Sequence, residues 1–225
     1  MNITKRIYST CSHLEGYKLV DIGTDHCILP IFAILSGQID FAIGVDVNAG
    51  PLNIARENVK REGLLDKIEL RLGDGFSPIS IGECDCAVIT GMGGTLISNI
   101  IENGIPVARR LSQLILSPQS DAALLRKSLH KFGFEIYRED MVKDGTKFYP
   151  LIVARAYSKS SVSFNCDFEY EFGKLMLENP NDDFYEYLEA LRIKNQNIID
   201  RNPLEEDRKA EILGVNRFIK EFINS

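Results

Sequence analysis

The sequence predicts an α/β fold: a doubly wound sheet that ends in an antiparallel hairpin, followed by a C-terminal α-helical, coiled-coil-like hairpin. Three observations predict it. Up to about residue 132, five short apolar runs alternate with segments of helical period, the pattern of successive βα units. Two strand-like runs then flank Lys143-Asp144-Gly145-Thr146, and Asp-Gly between such runs signals a hairpin. Beyond residue 164 the apolar pattern is helical.

Each element rests on its own residues. Ile3, Ile7, Cys11 and Leu14 recur at helical spacing, so residues 2–15 read as a short helix. Leu19-Val20-Asp21-Ile22 ends a first strand at about 18–22. Gly23 then allows a sharp turn, and a helix follows over about 28–37. Phe41 to Asp46 is a second strand ending in a carboxylate. Pro51 opens the next helix and Gly63 closes it. A third strand, Lys67 to Leu72, runs into Gly73-Asp74-Gly75. A fourth, Cys84 to Thr90, runs into Gly91-Met92-Gly93-Gly94 and a helix over about 94–103. Leu111 to Leu116 is a fifth strand, and 120–132 is a helix carrying Arg126, Lys127, His130 and Lys131. Phe134 to Val142 and Lys147 to Ala156 form the hairpin. The polar run Ser158 to Ser163 reads as a linker between a first domain at 1–157 and a helical arm at 164–225. In the arm, Phe184, Leu188, Leu191 and Ile198 space one stripe. Leu204, Ile212, Val215, Ile219 and Phe222 space another, with a turn at Asn202-Pro203.

Composition narrows the function classes. No apolar run approaches membrane-span length, and Met1 to Arg6 lacks the apolar core of a signal peptide. A cytoplasmic monomer without a membrane partner is expected. The five cysteines are odd in number and include no CxxC, so they read as free thiols, mostly buried. With only three histidines, they argue against a metal site. The net charge of −6 sits largely on residues 156–225, which carry −5, and leaves residues 1–155 at −1. A local basic face able to meet RNA phosphates is therefore compatible with the acidic total.

The chemistry gathers where strands end. In an open α/β sheet the ligand crevice lies at the carboxyl ends of the strands, and Asp21, Thr24, Asp25 and His26 fall there. Asp46 lies 23 residues beyond Gly23, the spacing at which a carboxylate meets the two hydroxyls of a ribose. Asp74, between glycines, can accept from the amine of an adenine. Asp25 stands where a second glycine is common. Its charge suits a pyrophosphate poorly and tolerates a cationic sulfonium. With the terminal hairpin, this favours the Rossmann-like class I methyltransferase sheet over a nicotinamide dehydrogenase. The donor-pocket candidates are Asp21, Gly23, Thr24, His26, Asp46 and Val47, then Asp74, Gly75, Gly91, Met92 and Gly93. The glycine-rich 91–94 turn would let a flat base approach the methyl. Asp25 is the catalytic candidate, placed to stabilise positive charge growing on that base.

The run Asp-Ile-Gly-Thr-Asp-His-x-x-Leu-Pro at 21–30 resembles the bacterial tRNA (adenine-22-N1)-methyltransferase family. So do Gly50-Pro51, Arg71-Leu72-Gly73-Asp74-Gly75, Gly91-Met92-Gly93-Gly94 and Leu125-Arg126. The resemblance covers about residues 3–155 in unbroken order and the C-terminal helices more loosely. It implies S-adenosylmethionine as donor, N1 of an adenine in the D-arm region of tRNA as acceptor, and a helical arm that helps hold the tRNA. RNA-phosphate candidates are Arg6, Arg109, Arg110, Arg126 and Lys127, with Lys5 and Lys131 beside them. Tyr149, with Phe148, is the candidate for stacking on a splayed base. Two alternatives stay open: a methyltransferase of this fold with a non-tRNA acceptor, and a non-catalytic RNA-binding protein with a donor pocket.

Overall fold

A computed structural model of the chain describes residues 3–157, 164–201 and 203–224; the linker at 158–163 and Asn202 lie outside the described residues. Seven strands form one sheet: β1 (Lys18–Ile22), β2 (Phe41–Asp46), β3 (Ile68–Leu72), β4 (Cys86–Thr90), β5 (Gln113–Ser117), β6 (Phe134–Asp144) and β7 (Lys147–Ala156). Their order is β3-β2-β1-β4-β5-β7-β6, and β7 is the one strand that runs opposite to the other six. The predicted doubly wound sheet with a terminal hairpin is therefore present. Strand β6 extends to Asp144, so the hairpin loop is just Gly145-Thr146.

The strand alternation assigns the faces. Leu19, Ala42, Cys86, Val88, Ile115 and Val153 pack on one side with residues of α1 (Lys5–Ser12), α2 (Ile28–Leu35) and α3 (Ala49–Arg61). Val20, Ile22, Ile43, Val45, Ala87, Ile89, Leu114 and Leu116 pack on the other with α4 (Gly94–Asn103), the unpredicted α5 (Ile105–Ala108) and α6 (Ala122–Lys131). Side chains of successive strand residues point to opposite faces, so one run of sequence feeds both layers. Each fully buried aliphatic side chain contributes roughly 1.5–3 kcal/mol. Pro51 is the third residue of α3 rather than its first; the first four helical N–H groups are unbonded within the helix, so proline is tolerated there. Cys11, Cys27, Cys84 and Cys86 are buried free thiols, and Cys166 is exposed.

The chain divides into two compact units, Met1–Glu178 and Asn179–Ser225. The first includes α7 (Asp167–Phe172) and α8 (Lys174–Glu178), so the division falls beyond the 158–163 break. Hydrogen bonds tie α7 and α8 to the sheet domain: Arg126 donates to the Tyr170 and Glu171 carbonyls, and the Leu175 N–H donates to Glu139. The second unit holds α9 (Asp182–Arg201) and α10 (Glu206–Ile223). Phe184 meets Phe222 edge-on and Asn195 donates to Asn216, so these two helices run antiparallel, as the two stripes predict. Among the described residues no helix is long and apolar enough to cross a membrane.

Candidate active site

The crevice opens where β1 and β4 lie side by side while their connections leave in opposite directions, the switch point of the sheet. A cavity of about 500 Å³ lies there, within the usual range of small-ligand sites. Its walls come from four strand ends. The β1 turn supplies Asp21 to His26, β2 supplies Asp46 and Val47, the turn after β3 supplies Gly73 to Gly75, and β4 supplies Thr90 to Met92. Ten of the eleven donor-pocket candidates and Asp25 line this one cavity. Gly93 is the exception. A Cβ there would stand 2.9 Å from Ser120 Oγ, and the next residue, Gly94, donates to the Ser120 carbonyl at 2.8 Å. The second half of the glycine run thus seats α4 against residues 120–121 rather than facing the cavity.

The β1 turn is held in an uncommon conformation. Gly23 has φ +76°, and Asp25 and Cys27 have φ +47° and +58° without being glycine. Left-handed backbone at non-glycine residues costs roughly 1–2 kcal/mol each and persists only where neighbours enforce it. Here the Gly23 and Thr24 N–H groups donate to the Val45 carbonyl, Cys27 N–H donates to the Thr24 carbonyl, and the buried Asn58 of α3 donates to the His26 carbonyl at 2.9 Å. Asp25 and His26 consequently stand at the mouth, with Asp25 Oδ1 3.5 Å from His26 Nε2 and its side chain 66% exposed.

Asp21 is set differently. It is 4% exposed, and burial pushes its carboxyl up to about 7. Thr24 beside it partly opposes the rise, and the Asp46 and Asp25 carboxylates add to it. Burial, with Asp21 close by, also pushes the Cys27 thiol up to about 12, so that sulfur is unreactive packing. Asp46 spends Oδ1 on the Asn48 N–H at 2.8 Å, leaving its second oxygen for a ligand. Two features fit a sulfonium nucleoside. Thr24, itself buried, sets its hydroxyl beside the Asp21 carboxyl in the wall of the cavity. At Gly91, φ +81°, a Cβ would meet nothing within 4 Å, so a side chain would project into open space where the bare backbone now forms the wall. Carboxylates at three strand ends supply acceptors for ribose hydroxyls, an amine and a cation.

The basic candidates separate. Arg6 lines the cavity, with its guanidinium carbon 4.6 Å from the centre of the Tyr149 ring. Arg126 is no RNA ligand: it is 1% exposed, donates to Glu139 at 2.6 Å and bonds two carbonyls of α7. Its position on the buried stripe with Leu125 and Leu129 was the available signal. Arg109 and Arg110 precede β5 and so lie at the amino ends of the strands, across the sheet from the crevice. Arg109 is used on the Phe132 carbonyl. Lys127 is paired with Asp167 at 2.9 Å and lies over the Tyr170 ring. Asn58 was missed, although a polar residue beside Leu52, Ala55 and Val59 on a buried stripe marks a buried hydrogen bond.

Comparison with known proteins agrees with this geometry. The family model of tRNA (adenine(22)-N(1))-methyltransferase, TrmK, matches residues 19–224. The tRNA (adenine(22)-N(1))-methyltransferase of Bacillus subtilis is 34% identical over 157 residues, spanning 69% of this chain and 66% of that protein. Among solved structures, Streptococcus pneumoniae Sp1610 in complex with S-adenosyl-L-methionine superposes with a TM-score of 0.86 at 29% identity, over 98% of this chain and 99% of that one. M. capricolum TrmK in complex with S-adenosyl-homocysteine gives 0.81 at 25% identity, over 99% and 98%. The chain therefore belongs to the tRNA (adenine(22)-N(1))-methyltransferase family, which uses S-adenosylmethionine on a Rossmann-like sheet.

Proposed function

We propose that this chain, acting as a cytoplasmic monomer, transfers a methyl group from S-adenosylmethionine to N1 of adenine 22 in tRNA at the crevice between β1 and β4. The observation that carries the residue roles is the convergence of Asp21, Asp25, Asp46 and Asp74 on one cavity with bare glycine backbone beside them. Asp46 would accept from the ribose, Asp74 from the adenine amine, and Asp21 would face positive charge at the methionyl end. Binding of a cation there lowers the cost of ionising a buried carboxyl.

When bound, S-adenosylmethionine supplies an electrophilic methyl group. N1 of neutral adenine carries an in-plane lone pair and no proton, so the chain needs no general base. Its work is to align the acceptor and to stabilise the positive charge that passes from sulfur to the ring as the N–C bond forms, the sulfur–methyl bond breaks and S-adenosylhomocysteine leaves. Asp25 stands exposed at the mouth, where an incoming base arrives, and takes that role. The left-handed turn and the Asn58 bond hold it in place. An adenine within a helix must first leave its stack, at roughly a few kcal/mol.

The test is incubation with S-adenosylmethionine and unmodified tRNA, then nucleoside digestion and mass spectrometry. 1-Methyladenosine is expected, and it should disappear when position 22 is changed to guanine. No methylated nucleoside, with donor binding shown by calorimetry, would overturn the reading in favour of a binding role. Asp25→Asn should lower turnover about 10²-fold or more while changing donor affinity little. Equal losses in both would remove Asp25 from the chemistry.

A further inference from the structure

We infer that Asp121 is the residue that selects adenine at the acceptor site, its carboxylate accepting from the 6-amine of the target base. The inference rests on the proposed transfer reaction and deepens it. The donor cavity takes its walls from the ends of β1 to β4, and β5 lies on the other side of β4. The turn after β5 is fastened along the glycine run that follows β4. The Gln119 N–H donates to the Met92 carbonyl and the Gly94 N–H to the Ser120 carbonyl, each at 2.8 Å. A Cβ at Gly94 would stand 2.3 Å from the Asp121 carbonyl oxygen, so glycine is what lets the two segments meet. Met92 itself lines the cavity. Asp121 therefore stands beside the cavity wall, across the β4 turn from Asp25.

The carboxylate is diverted from its ordinary task. Asp121 is the N-cap of α6, where an Asp side chain normally accepts from a backbone N–H of the first turn, and here it makes no such bond. Its backbone is left-handed, φ +56°, an unfavourable conformation for a residue with a side chain. Oδ2 accepts instead from Ser120 Oγ at 2.8 Å and from Thr95 Oγ1 at 3.4 Å. Oδ1 has no hydrogen-bond partner among the described residues, and the side chain is exposed. One oxygen is thus fixed by the protein and the other is presented outward. Adenine carries its 6-amine on the carbon next to N1. A base with N1 aimed at the methyl group holds that amine at the mouth, where a fixed acceptor reads it. Guanine puts a carbonyl in that place and a proton on N1, so a carboxylate there repels it. As N1 gains the methyl group, positive charge spreads to the amine, and a charged acceptor then holds it more strongly. The amine keeps both protons throughout.

The test uses tRNA carrying either adenine or purine, which lacks the 6-amine, at position 22. Values of kcat/KM are measured for the full chain and for Asp121→Gly, Asp121→Asn and Thr95→Val, each checked for folding by thermal melting. Glycine keeps the left-handed backbone and removes the carboxylate. The preference for adenine over purine should fall about 10- to 100-fold in Asp121→Gly. It should fall by less in Asp121→Asn, whose amide oxygen still accepts. The weaker N1 nucleophile of purine enters every ratio and cancels. Thr95→Val should change both substrates by the same factor, because the carboxylate stays. Calorimetry should give S-adenosylhomocysteine the same affinity in Asp121→Gly as in wild type. If Asp121→Gly slows adenine and purine tRNA equally, or loses donor affinity by the factor it loses in rate, Asp121 is a brace for the glycine run and the inference is overturned alone. A wild-type protein that forms no methylated nucleoside on adenine tRNA overturns the transfer reading, and the inference with it.

Discussion

The Asp21 carboxyl lies at the end of β1, and its burial lifts it from 3.8 to about 7 in the folded chain. A group whose folded pKa is raised contributes stability that is complete below its unfolded pKa and is lost as pH rises to the folded one. For Asp21 the loss therefore begins near 3.8 and is finished slightly above 7. The span from 3.8 to about 7 corresponds to roughly 4 kcal/mol, more than half of it lost between pH 5 and 8. Asp21→Asn keeps the shape and removes the ionisation. In urea unfolding at pH 5, 6, 7 and 8, its stability relative to wild type should climb by roughly 2–3 kcal/mol, in favour of the variant. Donor affinity should move the other way. Wild-type affinity should rise with pH to about 7 and then level, by up to tenfold per unit, whereas the variant should bind weakly and without that slope. Unfolding curves that run parallel for the two proteins from pH 5 to 8 would refute the argument that Asp21 is held against its own ionisation.

Other substitutions probe the frame of the site. Gly23→Ala forces a left-handed backbone and sets a Cβ 2.2 Å from Met92 Cε, so donor affinity and melting temperature should both fall, with stability down roughly 1–2 kcal/mol. Asn58→Ala strands the His26 carbonyl. A stability loss of about 1–3 kcal/mol is expected, with turnover reduced more than tRNA binding, read from melting and steady-state kinetics. Arg126→Met leaves Glu139 buried without its cation and should cost about 3–5 kcal/mol in denaturant unfolding. Arg126→Met with Glu139→Leu should recover much of that loss, and a double variant no more stable than the single one would show that the charge pair is not the cause.

Strand positions, the hairpin and the carboxylates at strand ends were legible because they obey short-range rules. Period-two alternation, glycine at a sharp turn and Asp-Gly between strands each act over a few residues, and Asp21, Asp46 and Asp74 follow from them. The start of α3 lies at Ala49 rather than Pro51, since element ends depend on which orphan N–H groups find partners, and the four-residue α5 is too short to carry a periodic signal. Long-range partners decided the rest. Arg126 looked like a phosphate ligand until Glu139, 13 residues on, and the carbonyls of α7 claimed it. Arg109 and Arg110 carry the same charge as Arg6 but stand at the far end of the sheet. Sequence by itself determined the α/β frame, the crevice and its acidic residues, because those follow from backbone geometry repeated locally. Only the tertiary structure decided which arginine faces the crevice and which carboxyl resists ionisation, because both depend on how far a charge is removed from water and what it then meets.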